Sequence, residues 1–398
     1  MEENRNKKIY FPTFFLVLIY FASFITLPYF EYYNLFKYCI LLVCGIYSLF
    51  NIFVLGNYKL RKINILLIAY LISIIVSAYI NKDVGTERNS FLASIVFCGS
   101  IFETVIIMER YFHDNKIDKL VNVLFNITLY VLIINDFLIF VGYNHPFVEN
   151  YYLIGNKFTV SYTHILLLAL YFYKIKKYDT TIKNIIFICL SITTLTIDLL
   201  VKCSTGIVGL IVFYIISMFI KEKHLIKSKL FFIFIFTLSF TFFLTFDLFL
   251  NNDFVKYIIV DILGEDITLT GRISIYQNII EVLDGHYLFG YGYGNSFEVM
   301  MSTIGAPNSQ NGLLECILTQ GVISTTILIT MIMYSTLCKK YKKNNFLIAI
   351  IYMFIILSSI EITFGSLFLI VLVLSYLIDN YEGEDYYESS NFINAKNC

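Results

Sequence analysis

Arg272 begins a helix-like run inside an acidic segment of the chain. Residues 251–312 contain seven Asp or Glu against two cations, Lys256 and Arg272. Apolar residues follow at spacings of three and four: Ile273, Tyr276, Ile280 and Leu283. This spacing predicts an amphipathic helix over 271–283. A guanidinium stays charged and can bind a phosphate or carboxylate through two parallel hydrogen bonds. Arg272 is therefore either paired with a neighbouring acid or available to an anionic ligand.

The cysteines give no sign of a metal centre, and the net charge gives none of a nucleic-acid partner. The eight cysteines lie mostly within or beside apolar runs, without a CxxC motif or a Cys/His cluster. Lys plus Arg and Asp plus Glu both number 29, so the net charge gives no reason to expect nucleic acid. We expect no bound metal and no cofactor.

The elements that must position these residues are membrane helices. Of the 398 residues, 58% are apolar or aromatic and only 15% are charged, and the mean hydropathy is +0.74. Soluble domains carry about 25% charged residues. Many apolar runs approach the roughly 20 residues that a helix needs to cross a bilayer. The composition excludes a soluble globular protein and predicts an all-α polytopic membrane protein.

Twelve apolar runs predict about twelve transmembrane helices. They cover residues 9–27, 35–55, 63–80, 91–108, 120–141, 158–173, 185–201, 207–220, 230–250, 313–337, 346–359 and 367–378. Most connections between them are around ten residues long. The connection between the ninth and tenth runs, 251–312, has 62 residues and predicts a separate polar subdomain.

The distribution of Lys and Arg predicts the orientation of these helices. With a cytoplasmic N-terminus, 22 of the 29 cations fall in cytoplasmic segments and six in outer segments, as the positive-inside rule requires. Both termini are then cytoplasmic. We divide the chain into helices 1–9 over 1–250, an extracytoplasmic loop over 251–312, helices 10–12 over 313–378 and a disordered cytoplasmic tail over 379–398.

Four acidic residues lie in or beside the apolar runs: Glu103, Asp136, Asp198 and Glu361. A charge exposed to lipid is costly, so we expect these side chains to face the bundle interior or water. The sequence leaves open whether they are relay groups or structural pairs.

Several motifs on the predicted outer face follow one another in a recognisable order. The loop and the start of the tenth run contribute Gly271, Arg272, Tyr276, Gly290, Gly292, Gly294, Gln310, Asn311, Leu314 and Gly321. Residues 155–162 lead into the sixth span, and residues 202–206 join the seventh to the eighth. In order and spacing this set resembles the O-antigen ligase and polymerase family (Wzy-type), in particular the capsular polysaccharide repeat-unit polymerases of Gram-positive bacteria. Tyr276 stands where that family usually has Trp, and Gln310 where many members have His.

This resemblance implies an enzyme and a location. Such polymerases transfer glycan repeat units carried on undecaprenyl pyrophosphate, by glycosyl transfer at the outer face of the bacterial plasma membrane. The glycan donor already carries a good leaving group, the lipid pyrophosphate, so a metal is not obligatory. The implied partners are the lipid-linked glycan, the bilayer, and the flippase and chain-length regulator of the same pathway.

The same resemblance suggests roles for individual residues. Arg272 suits a pyrophosphate, and the N-terminal amides of its helix would add to the anion site. We assign substrate binding to Lys157, Lys202, Ser204, Tyr276, Gln310 and Asn311. Alternatives remain for most of these residues. The two lysines are equally consistent with snorkelling to the membrane surface, Ser204 with a tight reversal between helices, and Gln310 and Asn311 with a helix cap.

A glycosyl transfer also needs a group that accepts the proton of the attacking hydroxyl. His286 lies in the outer loop, and Glu315 lies one helical turn past Asn311. Either residue can act as a general base, and we predict that one of them does.

Three other functions compete with the polymerase. A ligase-like transferase would attach finished chains to another acceptor. A flippase or other transporter of the same lipid-linked oligosaccharide would line a path at mid-membrane with polar residues. A structural scaffold would be indifferent to Arg272. The long outer loop with its arginine favours the enzyme.

Overall fold

The computed structural model describes residues 2–27, 32–54, 61–85, 89–142, 150–174, 181–219, 228–241, 257, 261, 272–337 and 346–381. Within these ranges the chain forms fourteen α-helices and one two-stranded hairpin. The helices are α1 Glu2–Phe24, α2 Tyr33–Val54, α3 Lys62–Ile80, α4 Ser90–His113, α5 Ile117–Phe140, α6 Lys157–Lys174, α7 Thr181–Leu200, α8 Ser204–Phe219, α9 Lys229–Thr241, α10 Arg272–Val282, α11 Ser296–Thr303, α12 Gly312–Thr336, α13 Leu347–Leu357 and α14 Ser366–Asn380. The strands are β1 Tyr151–Tyr152 and β2 Gly155–Asn156.

The all-α, membrane-type fold predicted from the composition is confirmed. Every predicted apolar run coincides with a helix, although 242–250 of the ninth run lies outside the described residues. Six helices, α2 to α5, α7 and α12, are long and apolar enough to cross a membrane. Large apolar side chains stand exposed on the outward faces of helices, among them Phe53, Phe137, Ile182 and Leu230. Such a surface is typical of lipid contact. The number of crossings, twelve, stays a prediction.

Helices α6 and α13 form the centre of the bundle. Thirteen of the eighteen residues of α6 and ten of the eleven of α13 are buried. Helix α13 packs against α6, α8, α9 and α14, and α3 packs along α12. Because α13 is surrounded by helices, the turn that follows it, residues 358–365, lies where several elements of the chain meet.

Asp136 and Asp198, two of the acids in apolar runs, have different surroundings. Asp136 of α5 lies 3.1 Å from Nε2 of His164 in α6, so this acid belongs to a structural pair. Asp198 of α7 is fully buried beside Ser161 and Gly206, since a Cβ added to Gly206 would lie 2.3 Å from Ser161 Oγ and 2.9 Å from Asp198 Oδ1. Only glycine at 206 lets α8 approach α6 and α7 this closely.

The outer loop forms its own small core against α12. The predicted amphipathic helix is present as α10, and the predicted Tyr276 and Leu283 are buried, but the prediction for Ile280 is wrong. Ile275, Tyr276 and Ile279 are buried together with Leu314 and Leu318 of α12, whereas Ile280 is 62% exposed. The sequence pattern was wrong about Ile280 because the adjacent pair Ile279–Ile280 fits two overlapping helical faces equally well.

A break in α12 receives the backbone of the outer loop. Gly321 has φ 77° and ψ 173°, which interrupts the helical hydrogen bonds. Tyr291 N donates to Leu318 O and Val322 N donates to Tyr287 O, both at 2.8 Å. The loop therefore satisfies backbone groups that the break releases.

Residues 379–381, the start of the predicted disordered tail, are ordered. Helix α14 continues to Asn380, and Asp379 is 3% exposed. Tyr381 then donates a hydrogen bond to Asn115 O at 2.8 Å. The rest of the predicted tail, 382–398, lies outside the described residues.

Candidate functional site

The turn at 358–365 is held by the outer loop and the start of α12. Arg272 donates from Nη2 to the carbonyl oxygen of Ile360 at 3.0 Å. Gly312 N donates to Ser358 O at 2.7 Å, and Asn311 Nδ2 donates to Ser359 O at 3.2 Å. Three consecutive carbonyl groups of the turn are therefore bound by residues of the loop motifs.

Tyr276 is an anchor inside this arrangement. The side chain is buried, and its hydroxyl lies 3.2 Å from the carbonyl oxygens of Gln310 and Ser359. A hydroxyl has one proton, so it donates to one of the two at a time. Burial raises the pKa of Tyr276 to about 12, although the charge of Arg272 opposes the rise. The phenol therefore stays neutral and serves as a donor.

The start of α12 combines a helix cap with a bound carboxylate. Asn311 Oδ1 accepts from the backbone N–H groups of Leu313 and Leu314, both at 3.0 Å. Asn311 therefore caps the helix, which is one of the alternatives that the sequence left open for this residue. Glu315 Oε2 accepts from Ser309 N at 3.1 Å and from Ser309 Oγ at 2.8 Å. Glu315 thus fixes the segment that precedes the helix.

A cavity of about 420 Å³ opens beside the turn. It lies between the C-terminal end of α1, the β1–β2 hairpin, the first turns of α6 and the 358–365 turn. Its polar lining includes Tyr151, Asn156, Thr159, Tyr162, Asn308 and Glu361. Ligand sites commonly have volumes of about 300–1,000 Å³ and a few converging polar groups, and this cavity meets both criteria.

Two cations from different motifs act on one carboxyl group in this cavity. Glu361 is only 9% exposed, and burial is the main influence that raises its pKa above the ordinary value. The positive charges of Arg272 and Lys157 oppose that rise, and the negative charge of Glu315 adds to it. The fold therefore brings Arg272 of α10 and Lys157 of α6 within electrostatic range of the same group.

Lys157, Lys202 and Ser204 lie together where α6 begins and where α7 leads into α8. Lys157 Nζ donates to Lys202 O at 3.2 Å. Lys202 is exposed and has a left-handed backbone with φ 52°, and Cys203 N donates to Asp198 O at 2.9 Å. These contacts describe a tight reversal between α7 and α8, the alternative that the sequence left open for Ser204.

His286 lies apart from the cavity lining. Its ring is half-buried and stacks on Tyr291 with 3.9 Å between ring centroids. Gln310, in contrast, borders the Tyr276 anchor and has a left-handed backbone with φ 49°. The structure thus gathers Arg272, Tyr276, Gln310, Asn311 and Glu315 around one turn. Lys157 acts on Glu361 of this turn only through its charge, and His286 does not line the cavity.

Several residues of the cavity lining were not predicted to belong to a site, Asn308 and Glu361 among them. The sequence presented Glu361 only as an acid beside an apolar run. The sequence contains a feature that could have identified Glu361: it is the single charged residue in 344–378.

The chain was compared with protein-family models, with curated proteins and with solved structures, and none of them matches it.

Proposed function

We propose that this chain is a bacterial membrane glycosyltransferase that polymerises oligosaccharide repeat units linked to undecaprenyl pyrophosphate. The supporting observation is the convergence of Arg272 and Lys157 on a buried carboxyl group beside a polar cavity. Two cations suit a pyrophosphate, and hydroxyl and amide groups suit a sugar. The motifs that resemble the Wzy-type polymerases supply both cations.

The proposed reaction needs little covalent chemistry from the protein. The donor glycan leaves its lipid pyrophosphate when a hydroxyl of the acceptor unit attacks the anomeric carbon. Arg272 and Lys157 stabilise the negative charge that develops on the pyrophosphate. The cavity holds the acceptor sugar in line with the donor, which removes the entropic cost of bringing two substrates together.

The proposal includes a location and an orientation. Twelve helices cross the bacterial plasma membrane, both termini lie in the cytoplasm, and the cavity opens at the outer face. The Lys and Arg distribution supports this orientation. The packing is compatible with one site for all three cations, since Lys157 and Lys202 lie at the same end of the bundle as the loop that carries Arg272.

Reconstitution tests this function directly. Purified protein in liposomes is supplied with undecaprenyl-pyrophosphate repeat units, EDTA and no nucleotide, and the products are separated on a gel. We expect a ladder of chain lengths. Transfer of the lipid-linked glycan from one leaflet to the other without a ladder would contradict the polymerase and identify a flippase.

A further inference from the structure

Glu361 combines burial, cavity exposure and nearby cations in a way that no other acid of the described residues does. It lines the 420 Å³ cavity with Tyr162 and Asn308. Its Oε1 accepts one hydrogen bond at 3.1 Å, from the backbone N–H of its neighbour Ile362. An ionised carboxylate can accept about four hydrogen bonds, so this group retains capacity for a ligand hydroxyl.

The two residues that the sequence suggested as bases are engaged elsewhere. The Oε2 atom of Glu315 accepts two hydrogen bonds from Ser309. The imidazole of His286 stacks on Tyr291. Neither side chain is part of the described cavity lining. A general base must reach the proton that it removes, directly or through one water, and Glu361 is better placed to do so.

We propose that Glu361 is the proton acceptor of the glycosyl transfer, an inference that rests on the proposed function. The acceptor hydroxyl gives its proton to the Glu361 carboxylate while its oxygen forms a bond to the anomeric carbon of the donor. The bond between that carbon and the phosphate oxygen breaks, and its electron pair leaves with the lipid pyrophosphate. Glu361 then releases the proton to water.

Charged and titratable groups from three helices face Glu361. Arg272 and Tyr276 come from α10, Lys157 and Tyr162 from α6, and Glu315 from α12. Cys203, at the reversal between α7 and α8, is also within electrostatic range of Glu361. The two cations keep a carboxylate available, while burial and Glu315 raise its pKa and make it a stronger base than an exposed glutamate.

This arrangement predicts a pH profile with a defined sign. The carboxylate is the active form, so kcat/KM rises with pH through the pKa of Glu361. Because burial raises that pKa, the midpoint of the acidic limb lies above the ordinary value of about 4.3. A residue with a purely structural role would leave this limb unchanged.

Ladder formation by Glu361→Gln and Glu361→Asp in liposomes tests the assignment. We expect Glu361→Gln to lower kcat at least about 100-fold, the usual contribution of a general base, with the acceptor KM within about threefold. The residual kcat/KM of Glu361→Gln should no longer rise with pH through the acidic limb. Glu361→Asp should retain part of the activity and shift the limb.

The control is Glu103→Gln, the same change at another buried glutamate. Glu103 lies in α4, and its Oε1 is 3.0 Å from a Cβ built on Gly45 of α2. This variant should keep wild-type kcat. If Glu361→Gln keeps more than a third of the wild-type kcat, or keeps the acidic limb, Glu361 is not the base. If the wild-type protein itself makes no ladder, the proposed function fails and this inference fails with it.

Discussion

Single side chains hold the site together mainly through backbone carbonyl groups. Arg272, Tyr276 and Asn311 all bind carbonyl oxygens in the turn that carries Glu361. The structure shows a structural contact for Arg272, whose Nη2 donates to Ile360 O, and its binding of an anion belongs to the proposed function.

Replacing Arg272 with lysine separates these two roles. We expect Arg272→Lys to insert normally but to polymerise about 10- to 100-fold more slowly, because a lysine keeps the charge but loses the forked, charge-assisted contact, which contributes about 1.5–3 kcal/mol. The measurement is the initial rate of ladder formation in liposomes.

Lys82→Met is the matched control for Arg272→Lys. Lys82 is an exposed cation of the same predicted outer face, with Nζ 5.7 Å from the centre of the Tyr79 ring. It lies outside the cavity lining, so its loss should change the rate less than twofold. A wild-type rate in Arg272→Lys would exclude the pyrophosphate assignment.

The helices were predictable and their tertiary neighbours were not. Apolar runs specify helices nearly independently of one another, so all twelve runs coincide with helices, six of which are long and apolar enough to cross a membrane. The face of α10 and the position of Glu361 depend on packing between segments far apart in the chain. Periodicity cannot choose between Ile279 and Ile280, and no local pattern joins Glu361 to Arg272 and Lys157.

Gly321, at the break in α12, leads to a prediction about the thermal stability of the protein. A Cβ at Gly321 would lie 2.0 Å from Leu288 O, and its φ of 77° with an extended ψ is a conformation that essentially only glycine adopts. We expect Gly321→Ala to lower the melting temperature by about 5 °C or more, because the strain alone costs about 1–3 kcal/mol. A thiol-reactive dye measures this, since Cys98, Cys203 and Cys316 are buried and become reactive on unfolding.

Gly305→Ala is the control for this measurement. Gly305 also has a positive φ, 75°, but a Cβ there would meet no atom within 4 Å. Its cost is limited to backbone strain, about 1 kcal/mol. Equal melting temperatures for the two variants would show that the contact between Gly321 and Leu288 is unimportant.

The molecule as a whole has two polar ends separated by lipid-facing helices, and the proposed function requires one specific orientation. Lys202 lies beside Lys157 at the end that carries the cavity. Lys119 lies at the start of α5, at the opposite end of the bundle. Both side chains are exposed, so both positions suit chemical labelling.

Single cysteines at these positions test the orientation. In a cysteine-free background, Lys202→Cys should react with a membrane-impermeant maleimide on intact cells. Lys119→Cys should react only after the membrane is permeabilised. The reverse pattern would place the cavity in the cytoplasm, where lipid-linked units that have already crossed the membrane cannot reach it.

The docking of the outer loop onto α12 has a consequence for biosynthesis. Residues 287–293 contact Ser77 and Ser90, which the ribosome makes earlier, and Leu318 to Val322, which it makes later. In the proposed orientation, the loop crosses the membrane before the part of its docking surface that α12 supplies has been made. A nascent chain arrested before α12 has left the ribosome would expose this loop to protease, and the loop becomes resistant only once α12 has been inserted.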